Sequence, residues 1–374
     1  MGRDLERGGK RVQPRVRLRE LGIKIGKYET GTWNSITDVE GVRVGHRTLH
    51  QDLEGQSCIR TGVTAILPHA GNLFREKVLG TCHVINGFGK TAGTIQLQEL
   101  GLVESPIMLT NTLSVPAVAE GTIRYMLRHN TDIGDTTGTV NVIVGECNDG
   151  YLNDIRGLHV RAEDAIAAIE AAQGGMVEEG GVGAGTGMSC FGYKGGIGTS
   201  SRIASFGSSP YTVGALVVSN FGKPEDMRLP RRDRAVSTFG GEDSMVDIDS
   251  VSNEAGPDGS IMIVLATNAP VNRTQLDRIA KRASFGLART GSFAAHGSGD
   301  IVLAFSTAHR FSHYPTGLTE SQEYLADDGG MLSRLFEMTA EAVEEAIWNS
   351  LCKANTTTGH HGKVRQAICY ELFR

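Results

Sequence analysis

No cysteine pair in this chain has the spacing of a metal or redox site. The six cysteines (Cys58, Cys82, Cys147, Cys190, Cys352 and Cys369) are scattered, and none forms a C-x-x-C unit. That argues against a disulfide framework or a zinc site and leaves an expectation of reduced core thiols in a cytoplasmic protein. His309 and His313 have helical spacing but lack the glutamate of a zinc-protease motif, and His360-His361 reads as a polar loop, so no metal or cofactor is expected. No apolar run approaches the ~20 residues needed to span a bilayer. Basic residues cluster from Arg3 to Arg19 without the apolar core of a secretory signal, which predicts a solvated N-terminal arm within residues 1–33. A net charge of −5 and the lack of a basic face argue against a nucleic-acid partner.

Phosphate-binding signatures are also missing. Gly180-Gly-Val-Gly-Ala-Gly-Thr-Gly187 does not keep the G-x-G-x-x-G register, and G-x-x-x-x-G-K-[ST] occurs nowhere. No G-x-S-x-G elbow stands out with an Asp and a His in order behind it. What the chain has in excess is glycine, 49 residues against a usual share of about 7%. Many sit between apolar runs, where tight turns or close backbone approaches call for them.

The 374 residues, 40% hydrophobic and 21% charged, can build an ample core. Strands are expected at Gly62–Leu67, Thr139–Val144, Val213–Val218, Ile261–Ala266 and Ile301–Phe305, with short strands around a turn in Ile36–His46. Helices are expected at Thr91–Leu100, Val115–His129, Arg161–Ala172, Gln275–Leu287 and Met331–Leu351; Pro116 suits a first helical turn. Ser200–Tyr211 and His309–Glu323 read as open loops. Strands and helices mix throughout, which suits a layered α/β domain.

The most informative point is Gly259-Ser260. A long polar stretch from Gly222 ends there, and the apolar run Ile261-Met-Ile-Val-Leu-Ala266 follows at once. A loop thus delivers a serine to the mouth of a buried strand. An amino-terminal nucleophile hydrolase would place its nucleophile there after cutting its own chain. A serine needs a base or an orienting group to become nucleophilic. Ser298 and Asp300 are two apart before an apolar strand, so their side chains share a face on extended backbone. Asn220, at the end of another strand, is a candidate oxyanion donor. Glu146 is a candidate partner for a cationic amine, and Tyr151 supplies a hydroxyl nearby in sequence.

Together these segments resemble the self-processing DmpA-type L-aminopeptidase/D-esterases, which include β-peptidyl aminopeptidases. The resemblance is carried by Asn34-Ser-Ile-Thr-Asp-Val-Glu-Gly-Val-Arg-Val-Gly-His46, Asn86-Gly-Phe-Gly-Lys90, Val144-Gly-Glu-Cys-Asn-Asp-Gly-Tyr-Leu-Asn-Asp154, Gly183–Met188, Lys194–Arg202, Ser219-Asn-Phe-Gly222, Gly259–Thr267 and Gly297–Ile301. It implies a four-layer αββα sandwich, Ntn-hydrolase-like, spanning residues 34–374. It also implies self-cleavage between Gly259 and Ser260 into fragments 1–259 and 260–374. By position, Ser260 matches the family's nucleophile, Ser298 and Asp300 its supporting pair, Asn220 its oxyanion donor and Tyr151 its active-site aromatic. Asp300 stands where some relatives have Glu, one methylene shorter. Glu146 is the candidate for the substrate amine, with Asp149 as competitor. The implied activity is release of N-terminal amino acids from small peptides, aminoacyl amides or esters by a homotetramer of processed protomers. An acetyltransferase resembling ornithine acetyltransferase, which uses threonine, and an unprocessed binding protein are the alternatives.

Overall fold

In the central strands alternate side chains face opposite ways, yet both sets are apolar, so each strand must be covered on both faces. The computed structural model, which describes residues 14–206, 209–230, 259–326 and 330–373, shows what covers them. The strands in chain order are β1 (Arg43–Asp52), β2 (Cys58–Leu67), β3 (Glu76–Gly87), β4 (Leu102–Val103), β5 (Ile107–Asn111), β6 (Ile143–Cys147), the short hairpin β7 (Ser189–Cys190) and β8 (Tyr193–Lys194), β9 (Gly196–Phe206), β10 (Ser209–Asn220), β11 (Ser260–Thr267) and β12 (Gly299–Ser312). Among the described residues the two large sheets have the orders β1-β2-β5-β6 and β4-β3-β12-β11-β10-β9, beside the β7-β8 hairpin and a two-stranded pair of β13 (Thr357–Thr358) with β14 (Val364–Arg365). In the larger sheet β11 and β12 run parallel, and their other neighbours are antiparallel.

Among the described residues the α-helices are α1 (Thr94–Leu100), α2 (Val115–His129), α3 (Ala162–Glu170), α4 (Arg273–Arg289) and α5 (Gly330–Cys352). Ile261, Ile263 and Leu265 of β11 pack with Leu276, Ile279, Val343 and Ile347 of α4 and α5. Met262, Val264 and Ala266 face the other way and meet Ile107, Leu109 and Ile143 of the smaller sheet. That sheet turns Val63, Ala65, Met108 and Val144 toward Val118, Ala165 and Ile169 of α2 and α3. The layers are therefore helix, sheet, sheet, helix. Each fully buried Ile, Val or Leu contributes about 1.5–3 kcal/mol, so the β11 run anchors two cores at once. Helix α4 begins at a reciprocal cap: Asn272 Oδ1 accepts from Gln275 N–H at 2.9 Å, and Gln275 Oε1 accepts from Asn272 N–H at 3.0 Å. Gly198 lets β9 lie against α5, since a Cβ there would fall 1.9 Å from the Ala346 carbonyl oxygen.

Several expectations change. Residues 14–33 do not form a solvated arm. Leu18 and Ile23 are core residues, and Arg15 donates to the Cys352 and Ile368 carbonyls at 2.9 and 2.8 Å. Arg17 pairs with Glu179 at 2.6 Å and Arg19 with Glu345 at 2.7 Å. These arginines serve carboxylates and the carbonyl end of α5, where a cation is favoured. Arg3 to Val12 and Gln13 lie outside the described residues, as do 231–258 of the polar stretch before Ser260. Ser200–Tyr211 is not an open loop, because its described residues belong to β9 and β10. Ile36–Asp38 is a 3-10 turn, with strand only from Arg43, and 139–142 precede β6 without joining it. Five cysteines are buried, but Cys369 is exposed.

Candidate active site

Ser260 is the first residue of β11. Its neighbours in the sheet are Asn220, at the end of β10, and Gly299, at the start of β12. The Gly299 N–H donates to Ser260 Oγ at 3.3 Å. The residue before it has no room for a side chain: a Cβ on Gly259 would lie 1.9 Å from the Asn220 carbonyl oxygen and 2.5 Å from Phe221 Cα. The glycine is thus a steric requirement of the backbone entering the serine.

Ser298 and Asp300, flanking Gly299, are brought together directly. Ser298 Oγ donates to Asp300 Oδ1 at 2.7 Å. Asp300 is fully buried, and its Oδ2 has no hydrogen-bond partner among the described residues. Burial pushes its carboxyl up to about 6, against the pull of the Ser298 hydroxyl and the Ile261 backbone N–H.

Asn220 is held by both ends of its amide. Oδ1 accepts from Ser189 N–H at 2.8 Å, and Nδ2 donates to the Asn148 carbonyl at 2.9 Å. An amide nitrogen carries two hydrogens, so one remains for a second acceptor. The bond to Ser189 fixes which end of the amide is the donor.

Glu146, the penultimate residue of β6 on the smaller sheet, is buried. Its Oε1 accepts from Lys90 N–H at 2.8 Å, and its Oε2 accepts from the Thr112 hydroxyl. A Cβ built on Gly89 would sit 3.6 Å from Glu146 Oε1 and 3.9 Å from Gly299 Cα, so the 86–90 loop brings this carboxylate beside the Ser260 end of the larger sheet. Asp149, the competitor, is also buried: its Oδ1 accepts from Asn153 Nδ2 at 3.1 Å within its own turn, and its Oδ2 has no hydrogen-bond partner among the described residues. Burial raises its carboxyl to about 7 despite the donors around it. Tyr151 lies on the same loop, three residues past Asn148, with its ring 3.6 Å from the Arg365 guanidinium carbon and 4.9 Å from Lys363 Nζ. Sequence reasoning did not assign roles to the Gly299 N–H, the Thr112 hydroxyl, the Lys90 N–H or the loop contacts of Asn86; only the Asn86–Lys90 motif pointed toward any of them.

Among the described residues, no cluster of three His, Cys, Asp or Glu side chains is placed to hold a metal ion, and no helix is long and apolar enough to cross a membrane.

Residues 34–365 match Peptidase family S58. The chain is 40% identical over 367 residues to the β-peptidyl aminopeptidase BapA of Sphingosinicella microcystinivorans, covering 96% of this chain and 91% of that protein. Among solved structures, a protein of Pyrococcus horikoshii superposes with a TM-score of 0.86 at 50% identity, covering 96% of this chain and 97% of that one. The L-aminopeptidase D-Ala-esterase/amidase of Ochrobactrum anthropi, described as a variant of the Ntn hydrolase fold, superposes with a TM-score of 0.83 at 34% identity, covering 95% and 96%. The αββα sandwich is accordingly of the Ntn-hydrolase type, and the protein is a peptidase. The chain belongs to Peptidase family S58, the DmpA- and BapA-type aminopeptidases.

Proposed function

We propose that Ser260 is both the agent of self-cleavage and the catalytic nucleophile of this aminopeptidase. The observation that carries the reading is the surround of Ser260: a side-chain-free Gly259 before it, Gly299 N–H on its Oγ, Asn220 on one flank and the Ser298–Asp300 pair on the other. In the uncut chain Ser260 Oγ attacks the Gly259 carbonyl carbon, its proton passes to the Ser260 nitrogen, and the C–N bond breaks. The resulting ester is hydrolysed by water, leaving a carboxylate on Gly259 and a free α-amino group on Ser260. That amine has an ordinary pKa of about 7.7–8.0, so a neutral fraction exists near pH 7 to act as base. The buried, unpaired Oδ2 of Asp300 offers an acceptor in the same neighbourhood.

In turnover Ser260 Oγ attacks the substrate carbonyl, the free N–H of Asn220 faces the developing oxyanion, and the acyl-enzyme is released by water. Glu146 recognises the substrate's free ammonium, its oxygens held by Lys90 N–H and Thr112. Substrates are small peptides, aminoacyl amides or esters, in line with the β-peptidyl and L-aminopeptidase/D-esterase activities named for relatives. Tyr151, three residues past the Asn148 carbonyl that accepts from Asn220, is assigned to the aromatic side of the substrate pocket. Five buried, unpaired cysteines favour a reducing cytoplasm, and a homotetramer of processed protomers is the expected assembly.

Intact-mass analysis with amino-terminal sequencing tests the reading. Wild-type protein gives two fragments, one beginning Ser-Ile-Met. Ser260→Ala gives one inactive chain of 40.0 kDa. Two fragments from that variant sink self-cleavage at this bond. A panel of α- and β-aminoacyl amides then defines the substrate class.

A further inference from the structure

The turn that delivers Ser298 is strained. Ala294 adopts φ +53°, a left-handed conformation that a non-glycine residue keeps only where its surroundings impose it. The next residues close a tight turn, with Ser298 N–H donating to the Ala295 carbonyl at 2.9 Å. One side chain from another strand gathers the carbonyls of this turn. Asn86 Nδ2 lies 2.9 Å from the Ala295 oxygen, 3.1 Å from that of His296 and 2.6 Å from that of Ser298.

Asn86 reaches them because of an irregularity in its own strand. Asp300 pairs with Asn86, but Ile301 pairs with Val84, so β3 bulges by one residue beside the candidate carboxylate. Bulges re-aim side chains next to functional sites. The loop after Asn86 then closes over Gly299, where a Cβ would fall 2.9 Å from both Cα and N of Gly89.

We propose that Asn86 is a positioning residue: its amide holds the 295–298 turn so that Ser298 Oγ meets Asp300. This role rests on the reading of Ser260, Ser298 and Asp300 given above. It acts through Ser298 and touches no substrate. A misplacement of about 1 Å in such a group costs about 10²-fold in rate.

A double-mutant cycle tests it, because residues acting through one another are non-additive. Asn86→Ala is made alone and with Ser298→Ala, and two rates are followed: chain cleavage by denaturing gel, and kcat per mole of exposed Ser260 terminus on an aminoacyl amide. Alone, Asn86→Ala lowers both rates about 10²-fold and changes KM less than about threefold. With Ser298 already alanine, it lowers them less than about threefold. An equal factor in both backgrounds, or an effect confined to KM, overturns the proposal. If Asn86→Ala does not accumulate folded, the isosteric Asn86→Asp, which keeps the volume and loses the amide donors, is put through the same cycle. Full activity in Ser298→Ala alone instead refutes the underlying site, a result distinct from additivity.

Discussion

Asp300 ties the chemistry of the site to the stability of the fold, and an Asp300→Asn substitution in the uncut Ser260→Ala chain isolates the effect. In the folded protein burial holds this carboxyl at about 6; in the unfolded chain it titrates near 3.9. A folded value above the unfolded one means that the native state binds the proton more tightly. The stabilisation is therefore fully present below about pH 4 and is lost as pH rises through about 6. From pH 7.5 down to 4.5, this one group adds about 2 kcal/mol to the unfolding free energy. Asparagine keeps the shape and an acceptor for Ser298 but cannot titrate. Asp149, raised to about 7, acts in the same direction, and Lys194, lowered to about 7 by burial, in the opposite one. Both remain in the two proteins and cancel in the difference. Urea unfolding at fixed protein concentration between pH 4.5 and 7.5 is the assay. The parent should gain about 2 kcal/mol more than the variant over that range. Parallel pH dependences would show that Asp300 is ionised or solvated in the native state and refute the argument from burial.

Three further outcomes follow from the same geometry. Gly259→Ala sets a methyl 1.9 Å from the Asn220 carbonyl; cleavage followed by denaturing gel should slow at least about tenfold, because entry of the backbone to Ser260 must shift. Asn220→Ala removes the candidate oxyanion donor and should lower kcat about 10²–10³-fold with a smaller change in KM; unchanged turnover would assign the oxyanion to other donors. Glu146→Gln keeps an acceptor for Lys90 N–H but loses the charge, so KM for substrates with a free amine should rise about 10–100-fold, as losing a charged hydrogen bond predicts. The ratio of activity on free and N-acetylated substrates measures this, and an unaltered ratio would exclude Glu146 from amine recognition.

The parts legible in the sequence were those whose neighbours are local. Val115–His129 was bounded correctly because Pro116 marks its start and its buried face repeats with helical period. The run after Ser260 was legible because every residue from Ser260 to Thr267 is buried. Ser298 and Asp300 were read as neighbours from their spacing, and their side chains do meet at 2.7 Å, although Ser298 ends a turn and only Asp300 lies in β12. Strand β9 was hidden by its polar composition. It buries Thr199, Ser200 and Arg202 by bonding them to partners far along the chain: the Ala215 carbonyl, the Ala342 carbonyl, and Glu341 with Glu345. A polar side chain satisfied from a distant element leaves no hydrophobic period to read. The same limit hid Asn86, whose three acceptors lie more than two hundred residues away.

If the backbone is cut before Ser260 as proposed, the strand order of the larger sheet governs what becomes of the protein. The carboxy-terminal piece brings β11 and β12 to that sheet, and the amino-terminal piece supplies both flanks, β10 with β9 on one side and β3 with β4 on the other. Prising the pieces apart would bare four ladder edges in the middle of the molecule, the kind of surface that recruits stray strands. Production of the two halves in separate cultures should therefore give insoluble material, whereas one gene translated as a single precursor threads the inner strands into place before the nick is made.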